Sequence, residues 1–203
     1  MWFAQQSVPD LMGPIAKVET NPVLYYVLFK GWAALFGSSP EAMRMFSVLF
    51  SVATIIPIYI AGRMLIPGRN GVLVGVLAGL VFAMLSISIR FAVEARVYSM
   101  FVFAIGGASA ACVAVIRGWA DAKAREGGLR LNRATIGPYL WLGFFLALAI
   151  WAHNVGVIYA AVFALALLVW WGFGAARDMS VFVGLLIGGA FGVLLALSLI
   201  HIS

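Results

Sequence analysis

The chain has 203 residues, of which 65% are hydrophobic and only 10% charged, and its mean hydropathy is +1.09. A soluble domain of this size needs far more polar surface, so the composition indicates an integral membrane protein. The net charge of +6 is spread over short connections rather than gathered into a basic patch with interleaved aromatics. It therefore reports membrane orientation and excludes a nucleic-acid partner.

In chain order, Met1-Trp2-Phe3-Ala4-Gln5-Gln6 lacks both the basic region and the apolar run of a signal peptide. Glu19 and Asn21 precede Pro22. Asn at an N-cap with Pro after it signals a helix start, so capping suits Asn21, while Glu19 is carried as a candidate acceptor or metal contact. Val23 to Phe36 is apolar but short, is interrupted by Lys30 and Gly31, and ends at Gly37-Ser38-Ser39-Pro40. Such a run lies in the interface more often than it spans, and predicts a juxtamembrane helix with Tyr25, Tyr26 and Trp32 as aromatic belt residues. Met45 to Gly62, Val72 to Ile89, Val97 to Ile116, Tyr139 to Ala152, Val155 to Ala175 and Met179 onward follow as spans. The expected fold is thus an all-α integral membrane protein with about six transmembrane helices plus the interfacial helix. Residues 1–203 form a single membrane domain, with an outer loop over 1–44 and the bundle over 45–196. Cys112 stands alone in an apolar run, so neither a disulfide nor a cysteine metal site forms within the chain.

Basic residues orient the stack. Arg63 and Arg69 bracket one loop, Arg117, Lys123, Arg125, Arg130 and Arg133 crowd another, and Arg177 closes a third. Two spans separate each loop from the next, so all three share a side, which the positive-inside rule assigns to the cytoplasm. The 1–44 segment and the 90–97 connection then face outward. Asp10 and Glu41 read as solvated or capping residues, and Asp121 to Glu126 as a solvated cytoplasmic loop.

The outward connection carries Val93-Glu94-Ala95-Arg96-Val97-Tyr98-Ser99-Met100, a carboxylate and a guanidinium between two apolar runs. An ionisable group at the bilayer centre costs about 2.5–3.5 kcal/mol, so such residues usually sit in a wet cavity with a function. Arg90 and Arg96 lie outside against the positive-inside trend, which points to a bound anion. The plainer alternative is an Arg90–Glu94 pair at i,i+4, a helix-end salt bridge worth about 0.3–0.5 kcal/mol. His153 falls at the outer end of its span. By itself it makes no zinc site, which needs three or four ligands, and hydrogen-bonded packing is its plain alternative.

Four segments resemble a known family. Glu19-Thr20-Asn21-Pro22-Val23-Leu24-Tyr25-Tyr26 with Trp32 and Leu35-Phe36-Gly37-Ser38-Ser39-Pro40-Glu41-Ala42-Met43-Arg44 resembles the opening of polyprenyl-phosphate-dependent glycosyltransferases. Tyr59-Ile60-Ala61-Gly62-Arg63, Glu94-Ala95-Arg96-Val97-Tyr98-Ser99 and Ala152-His153-Asn154-Val155-Gly156 resemble three later motifs, in the same order and spacing. The family is the GT-C group of membrane glycosyltransferases, close to the dolichyl-phosphate-mannose protein mannosyltransferase-like and ArnT-like (RgtA/B/C/D-like) domains. The match covers about residues 1–175, with Val23, Val93 and Asn154 departing from the pattern.

The resemblance implies sugar transfer from a lipid-linked polyprenyl-phosphate donor to a glycan, lipid or protein acceptor. The site would lie on the outer face of a multi-pass protein of the bacterial inner membrane. Glu94 and His153 stand as catalytic candidates, and Arg96, Arg90, Tyr98, Glu19 and Asn21 as substrate-binding candidates. Glu94 is also a candidate ligand for a divalent metal ion. The resemblance further implies an acidic pair carrying the catalytic base just before Met1, so the chain is expected to be an inactive fragment. Leu197-Ser198-Leu199-Ile200-His201-Ile202-Ser203 looks like a translated sequencing adapter, and His201 is given no function. The alternative from another class is a non-enzymatic transporter with Glu94 as a coupling carboxylate. Such a protein favours ionisable groups near midplane on broken helices, often in repeated halves.

Overall fold

Apolar runs interrupted by Gly, Pro and Ser have few backbone options in a bilayer, where every peptide group must be paired within its own segment. A computed structural model describes residues 24–124, 135–173 and 179–200. Among these residues all regular structure is helical: α1 (Leu24–Phe36), α2 (Pro40–Leu65), α3 (Arg69–Met84), α4 (Ser86–Val93), α5 (Tyr98–Ala124), α6 (Gly137–Ala152), α7 (Gly156–Phe173) and α8 (Met179–Ile200). Three of them, α2, α5 and α8, are long and apolar enough to cross a membrane, and α3 with α4 makes a fourth if that bent pair is one span. The shorter apolar helices are α1, α6 and α7. Glu19, Asn21, the basic residues between 125 and 133, Arg177 and His201 lie outside the described residues.

Two boundaries differ from the expected spans. α2 begins at Pro40 rather than Met45, because Ser39 caps it: the Ser39 hydroxyl accepts from the Ala42 N–H at 3.2 Å, with Pro40 and Glu41 in the first turn. The expected continuous run from Val72 to Ile89 breaks at Leu85, whose backbone is extended, and the axis turns by 62°. Ser86, Ser88 and Arg90 follow within five residues. Serines compete for backbone hydrogen bonds, which favours a break at this point. Beyond the turn Arg90 is exposed at the bundle end.

Small residues set the crossings. A Cβ on Gly62 of α2 would lie 2.9 Å from the Gly75 Cα of α3. One on Gly192 of α8 would lie 2.7 Å from the Gly143 carbonyl oxygen of α6. Where lipid tails remove the hydrophobic drive between helices, such close backbone approach is the source of packing energy. α5 packs alongside α2 through Gly106 on Pro57 and Thr54, and against α6 through Gly107 under the Phe145 ring. The outward faces are apolar, with Ile56 61%, Val81 60% and Leu194 69% exposed, as suits a lipid solvent.

The chain directions define two ends. The near end gathers α1, the start of α2, α4, the start of α5, the end of α6 and the start of α7, around Tyr25, Phe29, Met43, Phe46, Val97, Met100 and Ala152. The far end gathers the α2–α3 connection, the end of α5 and the starts of α6 and α8, with Val115, Tyr139 and Val181 as its core.

Candidate functional site

The near end is built on aromatic packing. Tyr25 of α1 stacks on Phe29 at 5.3 Å and meets Phe46 of α2 at 5.7 Å. Trp32 donates its indole N–H to the Ala42 carbonyl at 2.7 Å, which ties α1 to the first turn of α2. Tyr25 and Trp32, expected as belt residues, thus do different work: Tyr25 is buried at 2% exposure and Trp32 is a tether. Val27, Leu28, Leu35 and Phe36 are the exposed large apolar groups of that helix. Burial pushes the Tyr25 phenol above its ordinary value; the adjacent Ser47 hydroxyl partly offsets this and Tyr26 adds to it.

Against this roof sits the turn from α4 to α5. Glu94 ends α4, its N–H bonded to the Arg90 carbonyl at 3.2 Å, and the Arg96 N–H closes on the Glu94 carbonyl at 2.8 Å. Ser47 of α2 donates from its hydroxyl to the Arg96 carbonyl at 3.4 Å, a long bond that anchors the turn to the bundle. Val97 and Met100, flanking the turn, are buried in the same core as Tyr25. The backbone is therefore fixed while the Arg96 side chain stays exposed.

The charges divide in a way the spacing alone left open. Arg90 Nε donates to Glu94 Oε1 at 3.1 Å, with side chains 72% and 30% exposed. This is the plain i,i+4 pair, and among the described residues it is the only ion pair. Neither Arg96 nor Arg44 at the start of α2 has a carboxylate within ion-pair distance among them; of the two arginines beside Glu94, Arg96 is the forked donor open to an anion, while Arg90 is held by Glu94. Among the described residues no three of His, Cys, Asp and Glu come together to hold a metal. Glu94 as a metal ligand would need donors from elsewhere.

His153 joins this end through Tyr98. The Tyr98 ring lies between Phe91 at 5.0 Å and His153 at 6.0 Å, stacked on both, and Phe101 covers His153 at 5.6 Å. His153 caps α6, its N–H bonding the Ala149 carbonyl at 2.9 Å. Its Nδ1 accepts from the Val155 N–H at 3.2 Å, so a neutral ring carries its proton on Nε2. Gly156 closes the corner: its N–H bonds the His153 carbonyl at 2.7 Å, and a Cβ there would strike the Ala149 backbone.

Residues far apart in sequence, Tyr25, Glu94 to Tyr98 and His153, thus meet at one end. Tyr59 to Arg63 does not: it packs on α3, toward the other end. Sequence reasoning missed Ser47 and Ser99, both fully buried beside the turn. Only the helical spacing of Met43, Phe46, Ser47, Phe50 and Thr54 signalled that Ser47 faces inward. No family model matches this chain, and neither do any curated protein or solved structure.

Proposed function

We propose that this chain is the donor-phosphate region of a polyprenyl-phosphate-dependent membrane glycosyltransferase of the GT-C kind, with six spans and its site on the outer face. In an inverting transfer the acceptor oxygen attacks the anomeric carbon and the sugar–phosphate bond breaks. The base takes the acceptor proton, and the polyprenyl phosphate leaves with the negative charge. Arg96 stabilises that charge by forked hydrogen bonds. Glu94 orients Arg90 and the acceptor, or holds a divalent metal ion with donors from residues 1–23. His153 exchanges protons with acceptor or phosphate through Nε2. Tyr98 positions His153; Glu19 and Asn21, outside the described residues, stay candidate substrate contacts.

The observation that supports this most is the convergence of three of the four resembling segments on one end, with Arg96 uncompensated among the described residues. For the six-span topology, α6 and α7 have 16 and 18 residues. At about 1.5 Å per residue they reach roughly 24–27 Å of a hydrocarbon core near 30 Å, a shortfall that local thinning absorbs. One observation favours the transporter instead: the α3–α4 break, since broken helices build transporter sites. It lies at a bundle end rather than midway, where a coupling carboxylate belongs.

The test is sugar transfer from a polyprenyl-phosphate donor, in nanodiscs, by the full reading frame that contains this chain. Glu94→Gln and Arg96→Ala should fold and lose transfer, and near wild-type transfer in both would overturn the assignment. Orientation is tested separately in a Cys112→Ser background. Cysteine at Ser39 should label with an impermeant thiol reagent in intact cells and cysteine at Glu126 should not; the reverse pattern moves the site to the cytoplasm.

A further inference from the structure

The far end carries a cleft that the proposed transfer does not use. It has a volume of about 710 Å³ and lies between the end of α2, the start of α3 and the end of α5. Arg63, Arg69 and Arg117 line it, with Asp121 as the only acidic residue among the described lining residues. Among the described residues none of the three arginines has a carboxylate within ion-pair distance. α3 also starts at this cleft with no side-chain cap, so the positive end of its peptide dipoles adds to the same field.

Three guanidiniums lining one cleft repel one another unless an anion lies between them, and the forked geometry of arginine suits phosphate oxygens. The walls say which kind of phosphate. Ile66, at the end of α2, is 42% exposed and Val72 of α3 is 41% exposed, beside Arg63 and Arg69. A soluble anion leaves such groups facing water, whereas a lipid lays its acyl chains along them. Basic pockets between membrane helices are known binders of anionic headgroups.

We infer that this cleft binds the phosphate of an anionic phospholipid, with Arg63, Arg69 and Arg117 as its donors and the acyl chains along Ile66 and Val72. Asp121 weakens the site and so tunes it toward lipids of higher negative charge.

The experiment is native mass spectrometry of the full chain in detergent, with phosphatidylglycerol or phosphatidylcholine added. Neither orientation nor sugar transfer enters the readout, so it stands or fails apart from the proposed function. Wild type should retain phosphatidylglycerol in clear preference to phosphatidylcholine. Each of Arg63→Gln, Arg69→Gln and Arg117→Gln should weaken it about 5-fold, and the triple variant about 100-fold. Asp121→Asn should tighten it a few-fold. Lys30→Gln with Arg44→Gln, which lowers the charge at the near end, should leave the preference in place. If the triple variant fails to fold, the single variants decide, and undiminished retention in all three overturns the site. Equal loss in the near-end variant also overturns it, since net charge would then explain the binding. Displacement of the lipid by millimolar glycerol phosphate overturns the lipid assignment in favour of a soluble phosphate.

Discussion

The two ends of the bundle are built on opposite principles. At the near end charges of both signs are dispersed and geometry is fixed by rings: Tyr25, Phe29 and Phe46 hold α1 down, and Phe91, Tyr98 and His153 bridge two connections. At the far end Arg63, Arg69, Arg117 and Asp121 line one open cleft, and Trp119 packs on Trp170. The backbone departs from regular helix at both ends: at Leu85, at Glu94 to Val97 and at His153 at the near end, and at Ile66 to Gly68 at the far end. Irregular backbone inside a membrane protein is tolerated only where protein or a wet cavity satisfies it. A near end fixed by stacked rings, with Arg90 held by a carboxylate and Arg96 exposed, suits chemistry on one oriented group; an open cleft lined by three arginines suits binding of a headgroup.

The sharpest way to break that contrast is at Arg96. Its carbonyl is anchored by Ser47 and its side chain is exposed, so Arg96→Ala removes a charged donor without opening the core. Loss of one such contact at a developing charge typically lowers turnover by about 10²–10³-fold. Arg96→Lys keeps the charge and loses the fork, so it should restore only part. Sugar-transfer rates, with the folded fraction checked by size exclusion, measure both. Complete rescue by lysine would make Arg96 a point charge whose fork has no part in the transfer.

A second comparison, inside α8, tests whether the ends are held in register by close packing. A Cβ on Gly188 would strike the Tyr139 carbonyl of α6, while one on Gly189 meets nothing within 4 Å. Gly188→Ala should therefore destabilise the protein by about 1–3 kcal/mol through overpacking. Gly189→Ala should leave stability unchanged or slightly raised, because alanine favours the helix. Thermal melts in detergent separate the two. Equal melting temperatures would mean that α6 and α8 do not cross where these glycines put them.

Tyr25 gives a smaller, pH-dependent effect confined to the near end. Its phenol is raised on folding by burial, so the unfolded chain releases that proton first. The stabilisation is complete below the unfolded pKa of about 10 and falls as pH rises from there toward the higher folded value. Tyr25→Phe should flatten the part of the melting-temperature decline above pH 10 that this group causes. An identical decline in both proteins would place Tyr25 in contact with water.

How much of this was legible in the sequence depends on which force sets each feature. Apolar runs specify helices by length and composition, so α2, α5 and α8 emerge without tertiary information. The Leu85 break did not, because Val72 to Ile89 is apolar enough to read as one span, and its serines signal a break only weakly. Val23 to Phe36 was legible as a short helix; that Tyr25 would be buried was not, since burial follows from Phe46, Val97 and Ala152 on other helices. Glu94, Arg96 and His153 were legible as unusual residues. That Tyr98 would link them, or that Arg90 would take up Glu94, is a matter of side-chain direction that spacing leaves open.

The Arg90–Glu94 pair carries the smallest expected effect and is the most delicate probe of the near end. It is an i,i+4 pair with Arg90 72% exposed. Water screens it, and measured exposed pairs of this kind give about 0.3–0.5 kcal/mol of stability. A double-mutant cycle of Arg90→Gln and Glu94→Gln should return a coupling energy of that size, shrinking as salt is raised. In transfer assays Arg90→Gln should cost only a few-fold against the much larger loss at Arg96, because its charge is already occupied by Glu94. Should Arg90→Gln match Arg96→Ala, the two arginines would grip the phosphate together. The salt bridge would then be the resting state of a pair that opens when donor arrives.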